Sequence, residues 1–99
     1  MGRVMAIRIL IERKIVPENQ ALLNSLLVKL RGKAMLATGY ISGETLRSVD
    51  DPNEYLVIST WNGLDDWRRW EADGERQEIQ SEIDSLLQVP SVHRVFVYD

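Results

Sequence analysis

The sequence predicts a single α+β domain, a ferredoxin-like βαββαβ chain whose antiparallel sheet carries both helices on one face. Three observations lead there. Apolar residues recur at period two over Met5 to Ile11, three further short stretches read as strands, and two longer stretches between strands carry apolar residues at helical period. Pro, Gly, Asn and Asp mark the breaks. No linker, repeat or low-complexity run divides the 99 residues, so positions 1–99 are read as one unit.

The first strand is predicted over Val4 to Glu12. Met5, Ile7, Ile9 and Ile11 fall on one face, and Ala6, Arg8, Leu10 and Glu12 make a mixed face suited to a partner or a pocket. Pro17 fits the first position of a helix, with Glu18 at the positive end of its dipole. Leu22, Leu23, Leu26, Leu27 and Leu30 form its apolar stripe. Gly32 weakens the helix, Lys33 to Leu36 can continue it, and Gly39 is a natural stop because glycine takes positive φ freely.

The second strand is predicted over Tyr40 to Val49. Its small and polar residues suggest a partly exposed or edge position. Asp51-Pro52-Asn53-Glu54 fits a type I turn leading into the third strand, Tyr55 to Trp61. Tyr55, Val57 and Trp61 lie on one side of that strand and Leu56 and Ile58 on the other, which places it inside the sheet with both faces covered. Asn62 or Gly63 can cap the second helix, on which Leu64, Trp67 and Trp70 share a face. Asp73-Gly74 interrupts this helix, and Asp73 can cap its continuation through Ile79, Ile83, Leu86 and Leu87 to Pro90. His93 to Tyr98 is the last strand. Two helices cover only one sheet face, so the apolar far side of the third strand calls for a second copy of the chain.

Composition narrows the function classes. Hydrophobic residues make up 44% and charged residues 27%, an ordinary balance for a globular domain. The net charge of −3 leaves no excess of Lys and Arg to displace counterions, so nucleic acid is not an expected partner. There is no cysteine, which excludes disulfides, thiolate metal sites and cysteine nucleophiles. The first apolar stretch is broken by Arg8 and Glu12, so it reads as neither a secretory signal nor a membrane span, and the expected location is the cytoplasm. No phosphate loop, nucleophile elbow or zinc spacing is found. The acidic run of Asp65, Asp66, Glu71, Asp73, Glu75 and Glu78 reads as a solvated helix face rather than a metal site.

The segment Tyr40-Ile41-Ser42-Gly43-Glu44-Thr45-Leu46-Arg47-Ser48, with Asp50 to Tyr55 after it, resembles the central hairpin of antibiotic-biosynthesis-monooxygenase domains. So does Trp61 followed by Trp67 and Trp70. The likeness runs from about Met5 to Tyr98 and implies a dimeric α+β barrel with a ligand cavity between sheet and helices in each subunit. Some such proteins oxidise aromatic polyketides without metal or flavin, others degrade haem, and many have no known activity. The haem-degrading branch would place its helix tryptophan at Trp70, its ligating histidine near Gln80 and an asparagine on the first strand. The second helix holds no histidine and Val4 to Arg13 holds no asparagine, so that branch is set aside and no cofactor is expected.

Cofactor-free oxygenation needs a dry cavity, an aromatic wall and polar groups that stabilise a developing oxyanion. Trp61, Trp67, Trp70 and Tyr40 are the candidates for the wall. Arg47, Asn62 and His93 are the candidates for the oxyanion, and His93 alone has an ordinary pKa near neutrality. Each has a plainer role beside it. Tryptophans at helical spacing are ordinarily core or dimer contacts. His93 opens a strand at the surface or an interface, Arg47 can pair with Asp50 or Glu54, and Asn62 can cap a helix. Two classes of function follow: a cofactor-independent monooxygenase of an aromatic or quinol-like small molecule, and a non-catalytic homodimer that binds an apolar aromatic ligand or serves structurally.

Overall fold

The computed structural model describes residues 5–98. The elements are β1 (Ile7–Lys14), a short 3-10 turn (Pro17–Asn19), α1 (Gln20–Ala34), β2 (Tyr40–Arg47), β3 (Glu54–Trp61), α2 (Leu64–Glu71), α3 (Gly74–Ser85) and β4 (Val92–Val97). The order is the predicted βαββαβ, with the second helical region broken into two. The four strands form one antiparallel sheet in the order β2-β3-β1-β4. β2 is therefore an edge and β3 an interior strand, as their compositions predict.

Period two on β1 sets the inner face. Ile7, Ile9, Ile11 and, just beyond the strand, Ile15 are buried against the helices. Two clusters fill the layer between sheet and helices. Ile7, Ile9 and Ile11 pack with Trp61, Trp67 and Trp70 at one end. Ile15, Leu23, Tyr55, Ile79, Ile83 and Leu87 pack together at the other. The outer sheet face presents Leu10, Leu56 and Ile58, half-buried, beside the exposed Leu46, Val92 and Phe96. No described residue covers this face.

The breaks follow local hydrogen bonding. Glu54 N donates to Asp51 O at 3.0 Å, closing the predicted turn. Asp73 accepts from Arg76 N at 3.0 Å and caps α3. Gly39 stops the first helical region with φ 86°. A side chain there would also collide with the Asp66 carboxyl, since a Cβ would lie 2.2 Å from its carbon. Asn62 N donates to Gly39 O at 2.7 Å, so the start of β2 is tied to the end of β3.

Several expected boundaries and orientations shift. Val4 lies outside the described residues, and β1 runs on to Lys14 because its pairing with β3 continues to Glu54. β2 ends at Arg47 rather than Val49, where Ser48 Oγ accepts from Asp50 N and Asp51 N and starts the turn. α3 ends at Ser85, well before Pro90, because Leu87 returns to pair with Ile15 and Gln88 N donates to Lys14 O. The α2 cap is Gly63 with no side-chain bond, so Asn62 does not cap it. Leu22 and Leu64, expected on buried stripes, are 57% and 43% exposed. The buried part of each stripe narrows to other members of the same expected sets, Leu23 on α1 and Trp67 and Trp70 on α2.

Candidate functional site

A cavity of about 420 Å³ opens between α1 and the β2–β3 half of the sheet. Its floor is strand: Ile11 and Arg13 from β1 and Tyr55, Val57, Ser59 and Trp61 from β3. β2 adds Tyr40, Gly43 and Thr45 at one wall, and α1 adds Asn24, Leu27, Val28 and Arg31 at the other. Trp67, Trp70 and Arg76 close the remaining end. Val28 is 73% exposed, which marks the α1 side as the mouth. Arg31 Nη2 reaches across it to the Gly43 carbonyl at 3.4 Å.

The aromatic rings lock one another. Tyr40 meets Trp61 edge-on at 5.4 Å between centroids, Trp67 meets Trp61 edge-on at 5.7 Å, and Trp70 stacks on Trp61 at 6.3 Å. Trp61 Nε1 donates to Ser59 Oγ at 3.1 Å, which fixes the central ring. Gly43 makes room for the wall, because a Cβ there would lie 2.6 Å from the Tyr40 hydroxyl.

Polar groups sit behind and between these rings. Arg13 and Arg76 are 3% and 5% exposed, yet both line the cavity. Arg13 Nη2 donates to Gln80 Oε1 at 3.3 Å. Gln80 in turn donates to Asp84 Oδ1, which also accepts from Ser91 N and Oγ. Burial pushes the Arg13 guanidinium down to about 10, against the attraction of Asp84 and with the repulsion of Arg76. Arg76 is also lowered, first by burial, with Glu71 and Asp84 opposing. Its Nη1 donates to Glu71 O at 3.3 Å, and its guanidinium lies over the Trp67 ring, 5.4 Å from the centroid.

The seven residues named from the sequence divide. Tyr40, Trp61, Trp67 and Trp70 come together in the wall. His93 stands behind Trp67, with ring centroids 6.4 Å apart, and its Nδ1 meets Arg76 Nη2 at 3.4 Å. Its pKa is lowered by burial, then by Arg76 and Arg13. Asn62 is exposed and takes no part in the lining. Arg47 hydrogen-bonds the Tyr55 hydroxyl and lies over that ring at 4.8 Å, at a smaller surface recess; it pairs with neither Asp50 nor Glu54. Arg13 and Arg76 were not named, although the pattern holds them. Arg13 continues the period-two row Ile7, Ile9, Ile11, and Arg76 and Gln80 share the helical stripe of Ile79 and Ile83.

Among the described residues no group of three or more His, Cys, Asp or Glu side chains converges on a metal position, and no helix is long and apolar enough to cross a membrane.

Three comparisons with known proteins bear on this geometry. No curated protein matches the sequence. Among solved structures, a conserved protein from Methanosarcina mazei Go1 superposes with a TM-score of 0.90 at 14% identity, over 97% of this chain and 95% of that one. SnoaB, a cofactor-independent oxygenase from Streptomyces nogalater, superposes with a TM-score of 0.80 at 19% identity, over 98% and 95%. A Mycobacterium tuberculosis protein gives 0.85 at 14% identity, over 95% of each chain. At these identities the likeness establishes the fold. The sequence profile described as antibiotic biosynthesis monooxygenase matches residues 6–82, which spans β1 to α3 and every strand that floors the cavity, and the chain belongs to that family.

Proposed function

We propose that the protein is a cofactor-independent monooxygenase whose substrate is an aromatic or quinol-like small molecule held in this cavity. The observation that carries the reading is a space of about 420 Å³ walled by Tyr40, Trp61, Trp67 and Trp70, within the size range of small-molecule sites. Rings of this kind hold a planar substrate by stacking and edge contacts while excluding water. Membership of the monooxygenase family supports the reaction class. So does a fold shared with an oxygenase that needs no cofactor.

The chemistry asks little of the protein. A phenol loses its proton, and the electron-rich ring reduces O2. One oxygen atom becomes a new ring carbonyl. The other leaves as water with two hydrogens, given up by the ring carbon and the hydroxyl, so phenol and O2 become quinone and water. Arg47, Asn62 and His93 stand outside the wall in this reading, and His93 acts on the cavity only through Trp67 and Arg76.

A second reading, ligand binding without turnover, is favoured by one specific observation. The lining holds no imidazole, and its one carboxylate, Glu44, is exposed and 3.7 Å from Arg8. No buried base is therefore in place to take the phenol proton. An oxygen electrode separates the two readings. Saturable, protein-dependent uptake with a panel of naphthols and hydroquinones, matched by quinone absorbance, is expected. Saturable quenching of tryptophan fluorescence with no uptake across the panel would leave the second reading in its place.

The proposal includes a homodimer closed across the outer sheet face, where Leu10, Leu46, Leu56, Ile58 and Phe96 form an apolar surface. Sedimentation equilibrium at micromolar concentration is expected to return twice the mass of one chain. A well-folded monomer under those conditions would remove the dimer from the proposal.

A further inference from the structure

We propose that Arg13 and Arg76 form a carboxylate subsite inside the cavity, so that the ligand is a planar aromatic acid rather than a neutral ring. This deepens the proposed function and rests on its reading of the cavity as an aromatic-ligand site.

The starting observation is a charge imbalance in the least exposed part of the wall. Arginine is almost never this buried unless a carboxylate or another anion accompanies it. Arg13 and Arg76 are each more than nine-tenths buried, and among the described residues neither has a carboxylate within ion-pair distance. The acids nearest to them are engaged elsewhere. Asp84 accepts from Gln80 and from Ser91, and the Glu71 carboxylate accepts from Arg68 Nη1 at 3.0 Å, on the solvent side. The two guanidinium groups are close enough to repel each other. A chain with a net charge of −3 has thus concentrated unpaired positive charge where water is scarcest.

The second observation is independent of charge. Four buried side-chain nitrogens lack a described hydrogen-bond partner, and three of them belong to cavity-lining residues: Arg13 Nε, Trp67 Nε1 and Arg76 Nε. All three are donors that cannot accept. Buried donors left unpaired are costly, so a group suited to this end of the cavity is one that brings acceptor oxygens. Negative charge and acceptor capacity together describe a carboxylate, which can take hydrogen bonds on two oxygens from planar guanidinium forks. A phenol fits less well. With an ordinary pKa near that of tyrosine, about 10, it enters neutral and leaves both cations without an ion-pair contact.

The substrate's ring then lies against Trp61 and Trp70 while its acid group reaches Arg13 and Arg76 beside Trp67. The acid group anchors and orients the ring, and it takes no part in the electron transfer to oxygen.

Isothermal titration calorimetry with 2-naphthoate and its neutral isostere 2-naphthamide tests the assignment. At neutral pH and low salt, the wild-type protein is expected to bind naphthoate at least about tenfold more tightly than the amide, the factor of a single charge-assisted pair of hydrogen bonds. R13Q and R76Q should each weaken naphthoate binding about 10- to 100-fold while leaving the amide within about threefold. R76K, which keeps the charge and loses the fork, should fall between. Equal binding of acid and amide by the wild-type protein would overturn the subsite, leaving the aromatic cavity standing. Binding of neither would remove the aromatic reading and the subsite together. The wild-type ratio needs no variant, so a glutamine variant that failed to fold would leave the test intact.

Discussion

The two ends of the layer between sheet and helices are built from the same strands and solve different problems. At one end Ile15, Leu23, Tyr55, Ile79, Ile83 and Leu87 close on one another, sealed by the Ile15–Leu87 bridge and by Gln88, which donates to the Ile15 carbonyl at 2.9 Å. At the other, Ile7, Ile9 and Ile11 support three tryptophans that stop short of filling the space. Aliphatic side chains interdigitate to crystal-like density and leave no gap. Rigid rings held edge-on by one another brace a gap open. The unpartnered N–H groups of the cavity lining sit at this aromatic side and at its boundary with the closed end. Under the proposed function, stability rests mainly on the aliphatic end and the ligand lies at the aromatic one.

The largest expected effect tests that division directly. Ile83 is fully buried, so Ile83→Ala should lower the unfolding free energy by about 2–5 kcal/mol, through lost transfer energy and the cavity left behind. Trp70 is a larger side chain, but it lines the cavity and is packed less completely, at 9% exposure. Trp70→Ala should therefore cost no more than about 2 kcal/mol, below the range of about 3–5 kcal/mol for a fully packed tryptophan. It should also weaken binding of planar aromatic compounds by roughly 1–3 kcal/mol. Urea unfolding and ligand titration of the two variants check both halves. A Trp70→Ala variant that loses more stability than Ile83→Ala, with ligand affinity unchanged, would make the tryptophans core and erase the distinction.

The two ends were also unequally legible in the sequence. The aliphatic end follows from period: Leu23, Ile79, Ile83 and Leu87 fall on helical stripes and Ile15 continues a strand row, so burial can be read from spacing alone. At the aromatic end the same patterns identify the rings Tyr40, Trp61, Trp67 and Trp70, and the family resemblance suggests the space between them. Spacing cannot tell which polar residues face that space. Arg13 and Arg76 occupy positions that periodicity marks as buried, while their charge argues for the surface, so the two signals oppose each other. Arg47, Asn62 and His93 were favoured for their chemistry, although strand register and helix phase decide what a side chain can reach. Asn62 is exposed and off the cavity lining, and the Arg47 guanidinium is bonded to Tyr55. Helix ends failed for a similar reason: Pro90 is a local signal, while the pairing of Leu87 with Ile15 is a contact across the whole chain.

The smallest expected effect lies where the two regions meet. His93 faces Ile11 across the β1–β4 pairing, with the Trp67 ring beside it and the Arg76 guanidinium against its Nδ1. Because Arg76 donates to Nδ1, hydrogen-bond logic puts the single proton of the neutral ring on Nε2. A second proton would remove that acceptor and set two cations together. Burial first, then Arg76 and Arg13, lowers the imidazole below its ordinary value of 6.5, while Asp84 and Glu71 oppose the shift. The unfolded chain therefore binds the histidine proton more tightly than the folded one, and this group makes stability rise with pH. The penalty is absent above the unfolded pKa. It grows as pH falls through about 6.5 and levels off once the folded imidazole is itself protonated. Urea midpoints measured across this window for the wild-type protein and His93→Gln isolate it, since the carboxylates common to both cancel in the difference. The wild-type protein is expected to lose ground to the variant as the pH drops below 6.5. Parallel profiles would show that protonation of His93 leaves the junction untouched, and that the positive field of Arg13 and Arg76 does not extend beyond the cavity wall.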